Sequence, residues 1–449
     1  MSLHHTASAR SAPASPLPAR PAAAGAGMHR AACASPDSAT RRPAFLNLVN
    51  HPELAAAYGP RHAAAVADQL LERVQRLVGG AAHAAAVAEG CVLLWPEAGA
   101  GGATALERVL TGAGRQPLLA GGTPCLPVLR ADWLPLEGHG PADLDADDLA
   151  YVRYLAAPPA TADGPWPAAP ARYRADMAAA AEFHAALGAG ELTLEFQPVV
   201  PLQQPGPALY QRGAACRVPQ AEGLHALPCD AFMPALERLG LTRLLDRTLV
   251  LLALARLERR PHQQLSCRIS PLSAVDDAYW ASVLDALARR PAVAARFTLE
   301  IGGRAGLPSL DGARRLCAAL RLRGVRVAVS RVGSGGGSDG IGLAGLQACR
   351  PDVLVLDESC MLRARHNATG HEELQALPST CAALAARAVV TGVETAADLA
   401  LARAAGARWA CGRAAEAVLG PAEPTMPTSA GPSTFAVLSA DPAHAPRRH

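Results

Sequence analysis

The chain contains no lysine, so all 42 of its basic residues are arginine. Without lysine there can be no phosphate-cradling loop ending in GK[ST]. Aromatic residues make up only 4% of the sequence, which leaves core packing to small and aliphatic side chains. The formal net charge of +3 is too small for the broad electrostatic footprint of a nucleic-acid-binding protein. The 11 cysteines are scattered, with no C-x-x-C pair, and Cys125, Cys267 and Cys317 fall in apolar contexts. That pattern argues against a disulfide framework or a zinc site and for reduced thiols in the cytoplasm. No run of 18 apolar residues exists, so no membrane span is expected.

What is present is a chain of 449 residues, half of them apolar, which suits two or three domains with sizeable cores. Residues 1–42 are rich in Ala, Pro, Ser and Arg without periodicity, as are residues 425–449, and both read as disordered. Pro16, Pro18 and Pro21 break any apolar core that a secretory signal would need. A first domain over 43–157 is expected to be α/β. It begins with the strand AFLNLV and a helix carrying Val66, Leu70, Leu71, Val74 and Leu77 at helical spacing. An Ala-rich turn, a strand at Cys91–Trp95, a helix at Ala103–Leu110, a short strand at Leu126–Leu129 and a helix at Leu144–Leu155 follow. Asn47 and Asn50 stand at the end of the first strand, Glu89 and Gly90 ahead of the second. Residues 158–188 read as a proline-rich linker and a connecting helix, Arg172–Leu187, expected to act as a rod between domains.

From 189 to 424 strands and helices alternate with the rhythm of a (β/α) barrel. Strands are expected at Leu192–Val200, Leu209–Val218, Leu265–Ile269, Phe297–Ile301, Val325–Val329, Val353–Leu356, Ala388–Val390 and near Arg408. Helices are expected at Ala231–Leu239, Leu244–Arg259, Tyr279–Arg289, Asp311–Arg323, Glu372–Arg387 and Ala396–Ala405. The stretch Gly324–Gly340 runs from a strand into a glycine-rich loop past Ser330 and Arg331. Chemistry in such folds concentrates at the C-terminal ends of the strands. A hydroxyl and a guanidinium are poor ligands for a divalent cation, so a metal is not expected to be centred there. GGSDG at 336–340 fits G-x-S-x-G formally, but Ser338 lies too far beyond the strand end to be a nucleophile elbow.

Several ordered segments of this half are similar to EAL domains, the cyclic di-GMP phosphodiesterase family. They are GELTLEFQPVV at 190–200, FMPALERLGLTRLLDRTLV at 232–250, LSCRISPLS at 265–273, FTLEI at 297–301, RGVRVAVSRVGSG at 323–335, RPDVLVLD at 350–357 and VVTGVETAADLALARAAGA at 389–407. NLVNHPELAAAYG at 47–59 resembles the corresponding segment of diguanylate cyclase (GGDEF) domains, with Asn47, Ala55 and Ala56 at three of that family's polar positions and Glu89 near its signature motif. The resemblance implies a tandem protein: a small α/β cyclase-like domain followed by a (β/α)8 TIM-like EAL barrel.

The family's reaction uses two cations held by carboxylates and an Asn. Carried over residue by residue, the Glu of the EAL triplet falls on Gly213, the ligating Asn on Arg268, the paired Asp on Ser330 and Arg331, the catalytic Lys on Val355, the first Glu of E-G-V-E on Thr391, and a late Gln on Cys411. Glu300, Asp357 and Glu394 are kept. Gln197 and Arg217 match positions that contact the dinucleotide. The resemblance therefore implies a barrel without metal or cofactor and without catalysis, acting in cyclic di-GMP signalling through an unidentified protein partner or as a homodimer. The alternatives are a metal-independent receptor for cyclic di-GMP and, more distantly, an active phosphodiesterase. Candidate ligand-binding residues are Gln197, Arg217, Arg268, Glu300, Arg331, Asp357 and Glu394. Arg268 and Arg331 are candidates either to hold phosphate or to neutralise Glu300.

Overall fold

A computed structural model describes residues 43–80, 83–95, 102–134, 145–156, 169–189, 191–204, 206–217, 227–228, 232–332, 341–383 and 387–419. The strands, in chain order, are β1 (Ala44–Leu48), β2 (Ala84–Ala88), β3 (Cys91–Leu94), β4 (Leu118–Ala120), β5 (Thr123–Cys125), β6 (Leu129–Trp133), β7 (Leu192–Pro201), β8 (Tyr210–Arg217), β9 (Leu227–Pro228), β10 (Leu265–Ile269), β11 (Phe297–Ile301), β12 (Arg326–Val332), β13 (Val353–Leu356), β14 (Arg387–Val390) and β15 (Trp409–Ala410). The helices are α1 (His51–Tyr58), α2 (Pro60–Leu77), α3 (Gly102–Gly114), α4 (Ala146–Ala156), α5 (Pro170–Gly188), α6 (Met233–Leu239), α7 (Thr242–Arg259), α8 (Ala281–Arg289), α9 (Pro291–Ala294), α10 (Leu310–Arg321), α11 (Leu343–Cys349), α12 (Glu358–His366), α13 (Ala368–Ala383), α14 (Ala396–Ala404) and α15 (Arg413–Glu416).

The N-terminal part of the described chain is a four-stranded antiparallel sheet in the order β2-β3-β1-β6, with the β4–β5 hairpin beside it. Val66, Leu70 and Val74 recur every four residues on α2, and all are fully buried. Two expectations are corrected. The Ala-rich turn ahead of Cys91 is strand β2, since even alanine can serve an edge strand whose pairing comes from the backbone. The strand expected at Leu126–Leu129 starts only at Leu129, because Leu126 N–H and Val128 N–H bond to the side chains of Met177 and Asn50 instead of a ladder.

The C-terminal part is a closed barrel of β7, β8 and β10–β15, sealed by pairing of β8 with β10. β8 and β10–β15 run parallel, and β7 runs against both its neighbours because a short connection joins it to β8 as a hairpin. Alternation along each strand divides the two faces. Cys267, Ile269, Leu299, Ile301, Val327 and Val329 pack in the main core, while Val199, Tyr210, Ala328, Val353, Val355 and Cys411 form a separate cluster inside the barrel. The same alternation turns Arg212, Ser266, Arg268, Thr298, Glu300 and Ser330 inward. Four helices, the short α9 and α15 together with α11 and α12, are additional to those expected from sequence; α13 spans Ala368–Ala383 rather than Glu372–Arg387, and Arg387 opens β14. The segment 333–340, with Ser338, lies outside the described residues.

The connecting helix α5 is not a bare rod. Tyr173, Met177 and Phe183 are buried along it. Asn50, fully buried, donates to Tyr173 Oη at 3.0 Å and to the carbonyl of Leu126 at 3.1 Å, and Arg174 reaches the carbonyl of Ala57 at 2.6 Å. On the barrel side Arg238 of α6 grips Asp176 through two bonds of 2.7 and 2.8 Å. A second fixing point lies on α3, where buried Glu107 accepts from Arg247 of α7 at 2.6 Å and from the Ser282 amide and hydroxyl of α8 at 2.7 and 2.6 Å.

Candidate functional site

The C-terminal ends of the parallel strands bring Arg268, Glu300, Ser330, Arg331 and Asp357 to one end of the barrel, and Arg212, from the first half of β8, reaches up to Glu300 from inside it. Register places Arg268 directly across from Glu300, and Glu300 across from Ala328. Glu300 is fully buried, a position that an ionised carboxylate tolerates only with a partner. That partner is Arg212: its Nε donates to Oε2 at 2.9 Å and to Oε1 at 3.2 Å, and its Nη2 donates to Oε1 at 2.6 Å. A planar guanidinium forked onto a planar carboxylate is the strongest form of such a pair. Burial pushes the Glu300 carboxyl up, but the charge and hydrogen bonds of Arg212, with Arg268 behind them, outweigh it and hold Glu300 below the usual carboxylate range. Burial likewise opposes the charge on Arg212, and Glu300 reverses that, so the guanidinium is held protonated more firmly than usual.

The partner of Glu300 was expected to be Arg268 or Arg331. The structure gives that role to Arg212, one residue before the position aligned with the family's triplet Glu. Only the pairing of β8 with β10 reveals this, because it decides which of two consecutive side chains faces inward. Gly213 instead backs onto the neighbouring strand, where a Cβ would come within 2.7 Å of the Ser266 carbonyl. Arg331 points elsewhere: its Nη1 lies 3.4 Å from Asp357 Oδ2, and its backbone is left-handed at φ 64°. Asp357 is also the N-cap of α12, accepting from Ser359 N–H at 3.0 Å. The carboxylate therefore has a structural role at a helix start.

Behind Arg268 lies a group that the sequence did not single out. Asp246 of α7, 1% exposed, accepts from Ser270 N–H at 3.0 Å and Ser273 Oγ at 2.5 Å. Burial pushes its carboxyl up to about 7 against these bonds. Glu237 of α6 accepts from Ser270 Oγ at 3.3 Å, and burial raises it too, with Ser270, Arg268 and Arg331 pulling the other way. Both carboxylates stand inside the segment FMPALERLGLTRLLDRTLV, where polar residues in an amphipathic helix read as its solvated face. Asp246, Arg268, Ser270 and Gly302 line a small pocket with room for about one water molecule.

The EAL domain family matches residues 180–416, more than half of the sequence. The chain belongs to the EAL domain family. No curated protein matches it significantly in sequence. Similar solved structures include the S helix-GGDEF-EAL region of LapD from Vibrio cholerae, 14% identical over 84% of this chain and 90% of that one, with a TM-score of 0.46. The EAL domain protein from Listeria monocytogenes EGD-e is 18% identical over 52% of this chain and 90% of that one, with a TM-score of 0.45. The FimX EAL domain from Pseudomonas aeruginosa, bound to c-di-GMP, is 20% identical over 52% and 93%, with a TM-score of 0.41.

Within this EAL domain the remaining candidates are dispersed. Gln197, expected to contact a nucleotide, accepts from Cys411 Sγ at 3.0 Å. Glu394 accepts from Arg413 Nε at 2.6 Å. Arg217 ends β8, and its side chain lies outside the described residues. Metal ions held by clustered carboxylates need several oxygen donors converging on one point. Among the described residues no three His, Cys, Asp or Glu side chains converge in that way. Glu300 is already engaged by Arg212 and faced by Arg268, so this donor set does not suit a pair of divalent cations.

No helix among the described residues is long and apolar enough to cross a membrane.

Proposed function

We propose that this chain is a catalytically silent EAL-domain regulator in cyclic di-GMP signalling, with residues 43–157 as a degenerate GGDEF-like domain and 189–424 as the barrel, and that it works through contact with a protein partner. The observation that carries this reading is the fork of Arg212 on Glu300. A fixed internal cation stands on Glu300, the kept carboxylate of β11, and a second arginine, Arg268, faces it. Water activation by metal needs open coordination positions on a bound ion. An arginine on the ligand removes the site for the ion itself.

Calorimetric titration with cyclic di-GMP in Mg, repeated in EDTA, with the recovered nucleotide checked for hydrolysis, tests this. Intact nucleotide in both buffers and no heat is the expected result. Mg-dependent cleavage overturns the proposal. A second reading, a metal-independent receptor, is favoured by one observation: the half-buried Arg268 guanidinium lines the mouth pocket. It requires binding that survives EDTA and is abolished by Arg268→Ala, Gln197→Ala or Arg217→Ala. Arg331, Asp357 and Glu394 serve that reading only if nucleotide displaces their present ion-pair partners.

A further inference from the structure

The opposite end of the barrel carries a different kind of surface. Residues 259–264, 289–296, 321–325, 350–352 and 405–408 lead there into β10, β11, β12, β13 and β15. Hydrogen bonds knit these connections into one face: Arg296 donates to the carbonyls of Leu257, Arg260 and Gln263 at 2.9, 2.9 and 3.0 Å, and Arg387 N–H bonds to the Asp352 carbonyl at 3.0 Å. Helices in such a barrel run against their strands, so their C-terminal ends gather here and favour cations. Arg289 and Arg321, in the last turns of α8 and α10, fit that account. Arg260 and Arg290, the C-caps of α7 and α8, fit it too; Arg387, which opens β14, and Arg408, just ahead of β15, do not, and all four are exposed.

Negative charge does not balance this face. Asp352 is the described carboxylate within those connections; it accepts from Val327 N–H at 2.8 Å and faces Arg321 at 3.6 Å. Glu258 and Asp285, on flanking helix turns, are taken by Arg290 and Arg289 at 2.5 Å each. Arg259, Arg260, Arg350, Arg387 and Arg408 have no carboxylate at ion-pair distance among the described residues. Arg350 is held in a left-handed backbone, φ 46°, at the end of α11, where glycine would be easier. Between Arg321 and Arg323 stands Leu322, 86% exposed. None of the exposed large apolar side chains among the described residues is aromatic.

Arginine is among the residues enriched at protein interfaces, and Leu322 offers one apolar contact among these arginines. Single-stranded nucleic acid would call for aromatic platforms. We propose that this face docks an acidic segment of a protein partner, with Leu322 as its apolar contact. The proposal rests on the reading that the chain works through protein contact, and it names the chemistry of that contact.

The test uses the full chain and labelled poly-glutamate, followed by fluorescence anisotropy at low and physiological salt, with duplex DNA and phosphatidylserine vesicles as comparators. Poly-glutamate is expected to bind, more weakly as salt rises, and to lose about tenfold or more in affinity in Arg260→Glu/Arg387→Glu/Arg408→Glu. Arg350→Gly, which relieves the left-handed backbone, is expected to keep or raise the melting temperature and still weaken binding about twofold to threefold, so the test stands even where the triple variant folds poorly. No binding, or binding unchanged by both variants, overturns the proposal. Tighter binding of DNA or vesicles, lost on the same reversal, overturns its partner class. Cyclic di-GMP cleavage beside intact, Arg350-dependent poly-glutamate binding would refute the regulator reading and leave this face standing.

Discussion

Arg212→Met keeps most of the aliphatic volume of the side chain and removes the fork from Glu300. The carboxylate it leaves behind has no solvent exposure, and it loses three contacts of 2.6 to 3.2 Å at once. Breaking a buried pair from one side costs about 3–5 kcal/mol, because the remaining charge stays desolvated. For a unit the size of the barrel that corresponds to a fall in its melting temperature of roughly 6–10 °C. The pH dependence gives a sharper signature. With Arg212 present, Glu300 is held below the usual carboxylate value of 4.5, so its contribution is present above that value and is lost as pH falls through the depressed one. With Arg212 gone, burial is the dominant influence and Glu300 takes up a proton at higher pH. The variant's deficit is therefore large at pH 7.5 and smaller at pH 5. Arg212→Met/Glu300→Met, with no charge left to bury, should recover most of the loss. Urea unfolding followed by circular dichroism at the two pH values measures all of this. A deficit under about 1 kcal/mol, or one of equal size at both pH values, would refute the assignment of Arg212 as the group that holds Glu300.

Two further predictions concern the same framework. Asp246 has a folded value of about 7 against an ordinary 3.8, so its contribution is full at acid pH and is lost as pH rises through 7. Asp246→Asn should flatten the decline in melting temperature between pH 5.5 and 8, with Glu237, shifted in the same direction, leaving a residual slope; an unchanged decline would show that Asp246 does not titrate in this range. Glu107→Ala leaves Arg247 and the Ser282 amide without their shared acceptor and should cost about 3 kcal/mol. It should also speed proteolytic cleavage between the N-terminal sheet and the barrel, and equal digestion rates would mean that α3 does not fix the sheet to the barrel.

Much of the barrel was legible because its strands are short, apolar and regularly spaced. β10, β11 and β13 begin and end at the residues read from sequence. Signals failed where the backbone, rather than side-chain pattern, made the element. β2 is alanine paired at an edge, and α12 starts on the side chain of Asp357, a residue the resemblance had assigned to ligand binding. The candidate site was partly legible in the same sense. Glu300 and Arg268 do meet, but Gln197, Arg331, Asp357 and Glu394 each have local partners that no spacing rule announces.

The sequence by itself determined the barrel and the alternation that turns Glu300 inward. These follow from residue identity and periodicity. Only the tertiary structure decided which cation answers Glu300, that Asp246 is buried behind Arg268, and that arginines distant in sequence share one face. Each of those depends on which side chains from separate strands and loops point at the same place. That is set by register and barrel closure, and a one-residue difference in register separates Arg212 from Gly213.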